Sequence, residues 1–284
     1  MNVMMLIVVV FALFFQSIAQ KQYLKRTLEQ GAYIFNAVAI LSAAVLFLLV
    51  DTDGFTFDPA LIPYILGFAL AYGSTMLFTF LSIKEGSLSF TNLVKSYSLI
   101  MPTFYGTLFL DETIGMWFWF GFAFLVISIF LINIQKGEAK FSLKWIIYVA
   151  IAFLTDGMAG VMQLTQQTHF AGQYKSEFMI SALLLVSIFF FVLSLGKEKT
   201  AITYCMKRAS VFAILMGLMN AVVNLFLMIL VTRKMPTSIT YPVMSGGVIV
   251  LTAIASELFY KEKLSAMQRI GLVCGVVSIV FMNI

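Results

Sequence analysis

Long apolar runs alternate with brief polar connections along the whole chain. Ten such runs stand out, at about 3–20, 32–50, 61–83, 88–110, 114–134, 145–168, 178–196, 209–232, 237–260 and 266–284. Most reach the ~20 residues that a helix needs to cross ~30 Å of hydrocarbon. A membrane-spanning strand barrel would read as short alternating segments instead. The pattern therefore predicts ten transmembrane helices and leaves no stretch for a water-soluble domain. The first run is expected to be retained. Its cations Lys21, Lys25 and Arg26 follow it, whereas a cleavable leader carries them in front.

The runs fall into two sets of five. Residues 108–133 read LFLDETIGMWFWFGFAFLVISIFLIN, and residues 258–283 read LFYKEKLSAMQRIGLVCGVVSIVFMN. At an offset of 150, eight of the 26 positions are identical. The matches of Glu112 with Glu262, Ser128 with Ser278 and Asn133 with Asn283 carry the weight, because polar residues are scarce here. Gly67 with Gly217, Ala71 with Ala221 and Lys84 with Lys234 extend the match upstream. The first spans align at an offset of 140, which sets Gln16 opposite Asp156. We read an internal duplication: a first repeat over 1–134, a connecting loop over 135–144 and a second repeat over 145–284. With five spans per repeat, the second copy must enter the membrane upside down. The expected fold class is an all-α integral membrane protein of ten transmembrane helices in two inverted five-helix repeats.

Composition agrees with this. Of 284 residues, 61% are hydrophobic and 11% charged, and the mean hydropathy is +1.00. A soluble domain carries about 25% charge. The net charge of +5 is no sign of a nucleic-acid partner, because the cations lie between apolar runs. Counting loops in order, the odd ones hold 14 Lys and Arg, with Arg269 at the start of the last run included, and the even ones 3, with Lys95 set aside inside a span. The positive-inside rule then puts the odd loops in the cytoplasm and both termini outside, for a protein of the cell (inner) membrane. Cys205 and Cys274 have no disulfide or metal spacing, and His169 has no ligand cluster around it. No metal, no cofactor and no catalytic set is expected, so the chain does not read as an enzyme.

The Leu-Phe-x-x-Glu turns before the fifth and tenth spans end in Glu112 and Glu262. Each is followed nine residues later by a glycine, Gly121 and Gly271. Together with ten spans in two copies, these turns resemble the EamA-type members of the drug/metabolite transporter superfamily over nearly the whole length. Those members show Leu-Gly-Glu at the turns, where this chain has Asp111 and Lys261, and its loop after span two is acidic at Asp51, Asp53 and Asp58. The resemblance implies a secondary transporter of small organic metabolites or drugs, often an efflux carrier, with a pathway between the repeats that opens by alternating access. Its partners would be a small-molecule substrate and the lipid bilayer, and its state a monomer or a homodimer. A non-transporting membrane component, a channel and a lipid exporter remain as alternatives.

Charges inside a bilayer are expensive, and each is a functional hypothesis by default. Asp156 lies near the centre of span six, with Gly160, Gln163 and Gln167 on the same face. It is the candidate substrate anchor and proton-coupling group, set against a structural hydrogen bond to a neighbouring helix. Lys95 lies inside span four with Thr91, Ser98 and Pro102 on its face. It is a cation for an anionic group or a partner for Asp156, set against a stem that snorkels to the interface. Gln16 in span one and Ser245 in span nine occupy the positions equivalent to Asp156 and Lys95, so a pathway through both repeats would be electrically asymmetric. Asn220 and Asn224 stand one turn apart in span eight, as ligands or as interhelical glue. Tyr72 and Tyr97 would give the pathway aromatic walls, set against ordinary packing in a chain with 29 Phe, and Tyr241 shares a helix side with Ser245. Pro102 is the candidate hinge, because proline removes one backbone bond.

Overall fold

The structure, a computed structural model, describes residues 2–28, 30–50, 54–85, 91, 94–95, 97–110, 115–133, 142–260 and 265–282. Among these residues the chain is all-helical, without a strand. The helices are α1 (Asn2–Thr27), α2 (Ala32–Val50), α3 (Ile62–Glu85), α4 (Ile100–Phe109), α5 (Met116–Asn133), α6 (Leu143–His169), α7 (Lys175–Lys197), α8 (Lys199–Thr232), α9 (Thr237–Tyr260) and α10 (Ala266–Met282). Short 3₁₀ turns, Pro59–Leu61 and Tyr97–Leu99, lead into α3 and α4. Among the described residues, six segments are long and apolar enough to cross a membrane, those of α1, α2, α3 (with its 3₁₀ turn), α6, α7 and α8. Glu112, Glu262, Asp111, Lys261, Asp51, Asp53 and most of the 135–144 connection lie outside the described residues.

The boundaries differ from the apolar pattern mainly at three helices, and within the run 88–110 α4 begins only at Ile100, behind the 3₁₀ turn Tyr97–Leu99. The helix of span eight begins at Lys199, ten residues before the apolar run, and that of span one continues to Thr27. Hydropathy marks where a helix is greasy, and backbone bonding continues past that point wherever no Gly or Pro interrupts it.

The chain forms two compact units, and each draws on both sequence halves. Unit 1 comprises Met1–Phe11, Ser74–Val161 and Lys234–Ile284, and unit 2 comprises Ala12–Gly73 and Met162–Arg233. In unit 1, α5 packs along α10, and α9 packs against α4, α5 and α10. Small residues let these helices close up. A Cβ added at Gly275 would stand 2.7 Å from the Ser128 hydroxyl, and one at Gly106 would run into Thr237. Phe281 stacks on Trp117 and Phe124, with centroids 5.6 and 5.7 Å away.

In unit 2, α2 packs against α7 and α8. A Cβ at Gly217 would run into the carbonyl oxygen of Ala39, so the two backbones all but touch there. Ser187 donates to the Ala37 carbonyl at 2.9 Å. Phe68, Phe178, Phe190, Met179 and Leu183 are fully buried. Carboxylates pin the ends. Glu198 accepts from the backbone N–H groups of Tyr33 (3.0 Å) and Ile34 (3.2 Å), where the helix dipole of α2 favours a negative charge. The buried Glu177 accepts from the backbone N–H and hydroxyl of Thr56.

Candidate functional site

Both charges predicted inside spans fall in unit 1, and they meet. The Lys95 ammonium lies 3.6 Å from an Asp156 carboxylate oxygen, with the two side chains 26% and 22% exposed. The other carboxylate oxygen accepts a hydrogen bond from the Ser98 hydroxyl. Asp156 is carried by α6 at a point where small residues admit α4. A Cβ at Gly157 would collide with Met101, and one at Gly160 would press on Pro102 Cγ at 3.2 Å. Next to the pair, Thr75 donates to Thr155 at 2.9 Å, and the indole of Trp145 donates to Thr91 at 3.0 Å.

Ser98 is the middle residue of the 3₁₀ turn Tyr97–Leu99. Its neighbours in that turn, Tyr97 and Leu99, line an apolar cavity together with Thr103, Phe122, Pro242 and Ser245. One turn of backbone thus presents a hydroxyl to the charge and a ring to the cavity. The cavity volume is ≈ 20 Å³, room for about one water molecule. A drug-sized ligand needs some 300 Å³ or more, so this pocket must widen to admit one. Tyr241 is buried in unit 1 at 2% exposure. Pro102 stands in the first turn of α4, where a missing N–H breaks no helix bond. Pro242 is different: it lies inside α9 and lines the cavity. Sequence reasoning passed over Pro242, although a proline within an apolar run is its own signal.

Unit 2 gathers most of the uncharged candidates into one chain of hydrogen bonds. The Gln163 amide donates to the Asn224 side-chain oxygen at 3.3 Å. Asn224 donates to the Asn220 side-chain oxygen at 3.1 Å and to its carbonyl at 2.9 Å. Asn220 donates to the Tyr72 hydroxyl at 2.9 Å. The Tyr72 ring stacks on Phe68 at 5.3 Å and 14°. All four residues are buried. The i, i+4 spacing of the two asparagines was legible in the sequence, whereas Gln163 and Tyr72 come from distant segments. Gln16 stands apart from this chain. Its side-chain nitrogen is buried and lacks a hydrogen-bond partner, as does the side-chain oxygen of Gln167. Among the described residues, no three His, Cys, Asp or Glu side chains gather as a metal site.

The sequence model of the family described as Small Multidrug Resistance protein matches residues 198–274, 77 of the 284 residues. This family is a member of the drug/metabolite transporter-related superfamily. The match runs through α8 and α9 into α10, and so includes Asn220, Asn224, Tyr241 and Ser245. A solved structure described as "Crystal structure of protein" is similar to the chain with a TM-score of 0.68 at 10% identity. It covers 99% of this chain and 98% of that one, a likeness of fold alone. No curated protein matches the chain.

Proposed function

We propose that the protein is a secondary transporter of small organic metabolites or drugs, working by alternating access in the cell (inner) membrane. The observation that carries this reading is the Lys95–Asp156–Ser98 cluster beside an apolar, ring-walled cavity. A quarter-exposed ion pair within apolar helices is costly to keep, and a purely structural role would favour burying it fully or replacing it. The match of residues 198–274 to a drug-transporter family supports the same class.

The proposed architecture is EamA-like, with ten spans in two inverted repeats over 1–134 and 145–284. Two packings support it. Helix α5 lies along α10, its counterpart at the 150 offset, and α2 lies along α7, its counterpart in the second set of five. An element that lies beside a two-fold axis meets its own copy across it. Both termini would lie outside, and the protein would act as a monomer or a homodimer.

In the proposed cycle, Asp156 anchors the substrate or a coupling proton, and Lys95 holds the carboxylate when neither is bound. Tyr97, Tyr241 and Ser245 belong to the wall that must open, with Pro102 as hinge. The chain Gln163–Asn224–Asn220–Tyr72 and the unpartnered Gln16 amide are neutral polar stations on the pathway. Efflux is the direction proposed.

The test is uptake of a broad substrate library into proteoliposomes, wild type beside Asp156→Asn, with and without a proton gradient. The reading expects saturable uptake by wild type and loss of gradient dependence in the variant. Uptake that is alike in both would make Asp156 structural. No uptake of any compound by wild type would favour a non-transporting membrane component.

A further inference from the structure

Helix α8 has 34 residues and α1 has 26, or about 51 and 39 Å at ~1.5 Å per residue. The hydrocarbon takes up only ~30 Å. The surplus of each helix carries its cations and lies at one end: residues 21–27 of α1 and 199–208 of α8. In unit 2 these two extensions pack on each other. Tyr23 and Cys205 both close on Gly31, where a Cβ would stand 2.7 Å from the Tyr23 hydroxyl, and the Arg26 guanidinium sits 4.9 Å from the Phe212 ring centroid.

The extensions and the adjoining end of α7 bring together Lys21, Lys25, Arg26, Lys197, Lys199, Lys207 and Arg208, all exposed. Rings, which do not neutralise a cation, hold several of them. Arg26 lies over Phe212, Lys197 over Tyr33 at 5.8 Å and Arg208 over Tyr204 at 5.0 Å. The acidic residue described among them, Glu198, already accepts the N–H groups that open α2. Leu28 and Val211 add apolar side chains, each 70% exposed. The other end of α7 and α8 is balanced differently: Lys175 and Arg233 stand there with Asp58 and Glu177 in the same unit.

We propose that this end of unit 2 is a docking surface for anionic phospholipid headgroups of the surrounding leaflet, with acyl chains lying along Leu28 and Val211. Clustered cations just beyond a membrane helix attract anionic lipid. The positive-inside rule needs only a surplus of charge. A built surface predicts more, namely saturable binding that depends on which cations are present. The inference rests on α1 and α8 spanning a membrane and not on transport, so it can fail while the transport reading stands.

The experiment is native mass spectrometry of the full chain in detergent, titrated with dioleoyl phosphatidylglycerol or dioleoyl phosphatidylcholine. The expected result is saturable binding that favours phosphatidylglycerol. The double variant Lys25→Gln/Arg208→Gln should weaken it about fivefold per cation removed. Lys25→Arg/Arg208→Lys should keep it, as should Lys175→Gln/Arg233→Gln at the other end. Equal binding of the two lipids would overturn the proposal, as would equal losses in the two Gln variants. Full displacement by equimolar inorganic phosphate would assign the cations to a soluble anion and overturn it too. Should Lys25→Gln/Arg208→Gln not fold, the lipid preference of wild type and of the charge-keeping variant still decides.

Discussion

Two polar clusters sit in two parts of the molecule and solve the same problem in different ways. In unit 1, Asp156 is an acid held by a lysine and a serine, beside a cavity with room for about one water. In unit 2, Gln163, Asn224, Asn220 and Tyr72 pass hydrogen bonds along a neutral line, each amide donating to the next oxygen. A hydrogen-bonded amide line is content without a ligand. A quarter-exposed ion pair is less so, because each charge retains some access to water or to a competing ion. On the proposed function, charge-dependent chemistry falls to unit 1, and unit 2 offers only neutral polar stations.

The sharpest way to break the comparison is to move a charge. Asn224→Asp would put an unpaired carboxylate into the amide line, with an expected cost of about 3 kcal/mol, the scale for a lone charge mid-membrane. Thermal unfolding in detergent would read it. A negligible effect would mean that unit 2 can hold a charge and that the contrast is false. Next comes Lys95→Gln, which strips Asp156 of its counter-ion. Its cost should fall short of the ~3–5 kcal/mol of a fully buried pair, since the side chains are 26% and 22% exposed. Adding Asp156→Asn to that variant should restore most of the loss, and a double-mutant cycle showing no coupling would contradict the pairing.

Smaller effects sharpen the picture within unit 2. Asn224→Ala removes one interhelical bond, from Gln163, at roughly 0.6 kcal/mol, and the bonds to Asn220 within α8, for about 1–2 kcal/mol in all. Tyr72→Phe removes the acceptor that ends this line, and about 0.6 kcal/mol is expected for that bond. If Tyr72→Phe proved the costlier of the two, the hydroxyl would be bonded to more than this line. Neither substitution should alter the response of transport to a proton gradient.

Much of this was legible in the sequence, and the misses have physical causes. Apolar runs placed α2 and α9 at their observed bounds, because a helix in lipid must satisfy its own backbone. They missed the start of α8, because Lys199, Lys207 and Arg208 are polar while the backbone continues helical. The face shared by Ser98 and Lys95 was readable from spacing, and so was the turn between Asn220 and Asn224. That Lys95 meets Asp156, 61 positions away, was not. Nor was the separation of Gln163 from Asp156 into different units, although both stand on α6. Helical periodicity tells which residues share a face, and only packing tells what that face meets.

The most direct test of the central claim is counterflow. Proteoliposomes preloaded with a transported compound would be exposed to a trace of the same labelled compound, with wild type, Asp156→Asn and Tyr72→Phe compared. The account predicts fast, saturable exchange in wild type, near-normal exchange in Tyr72→Phe and a large loss in Asp156→Asn. Exchange that survives Asp156→Asn and collapses in Tyr72→Phe would place the working site in the amide line and contradict the account.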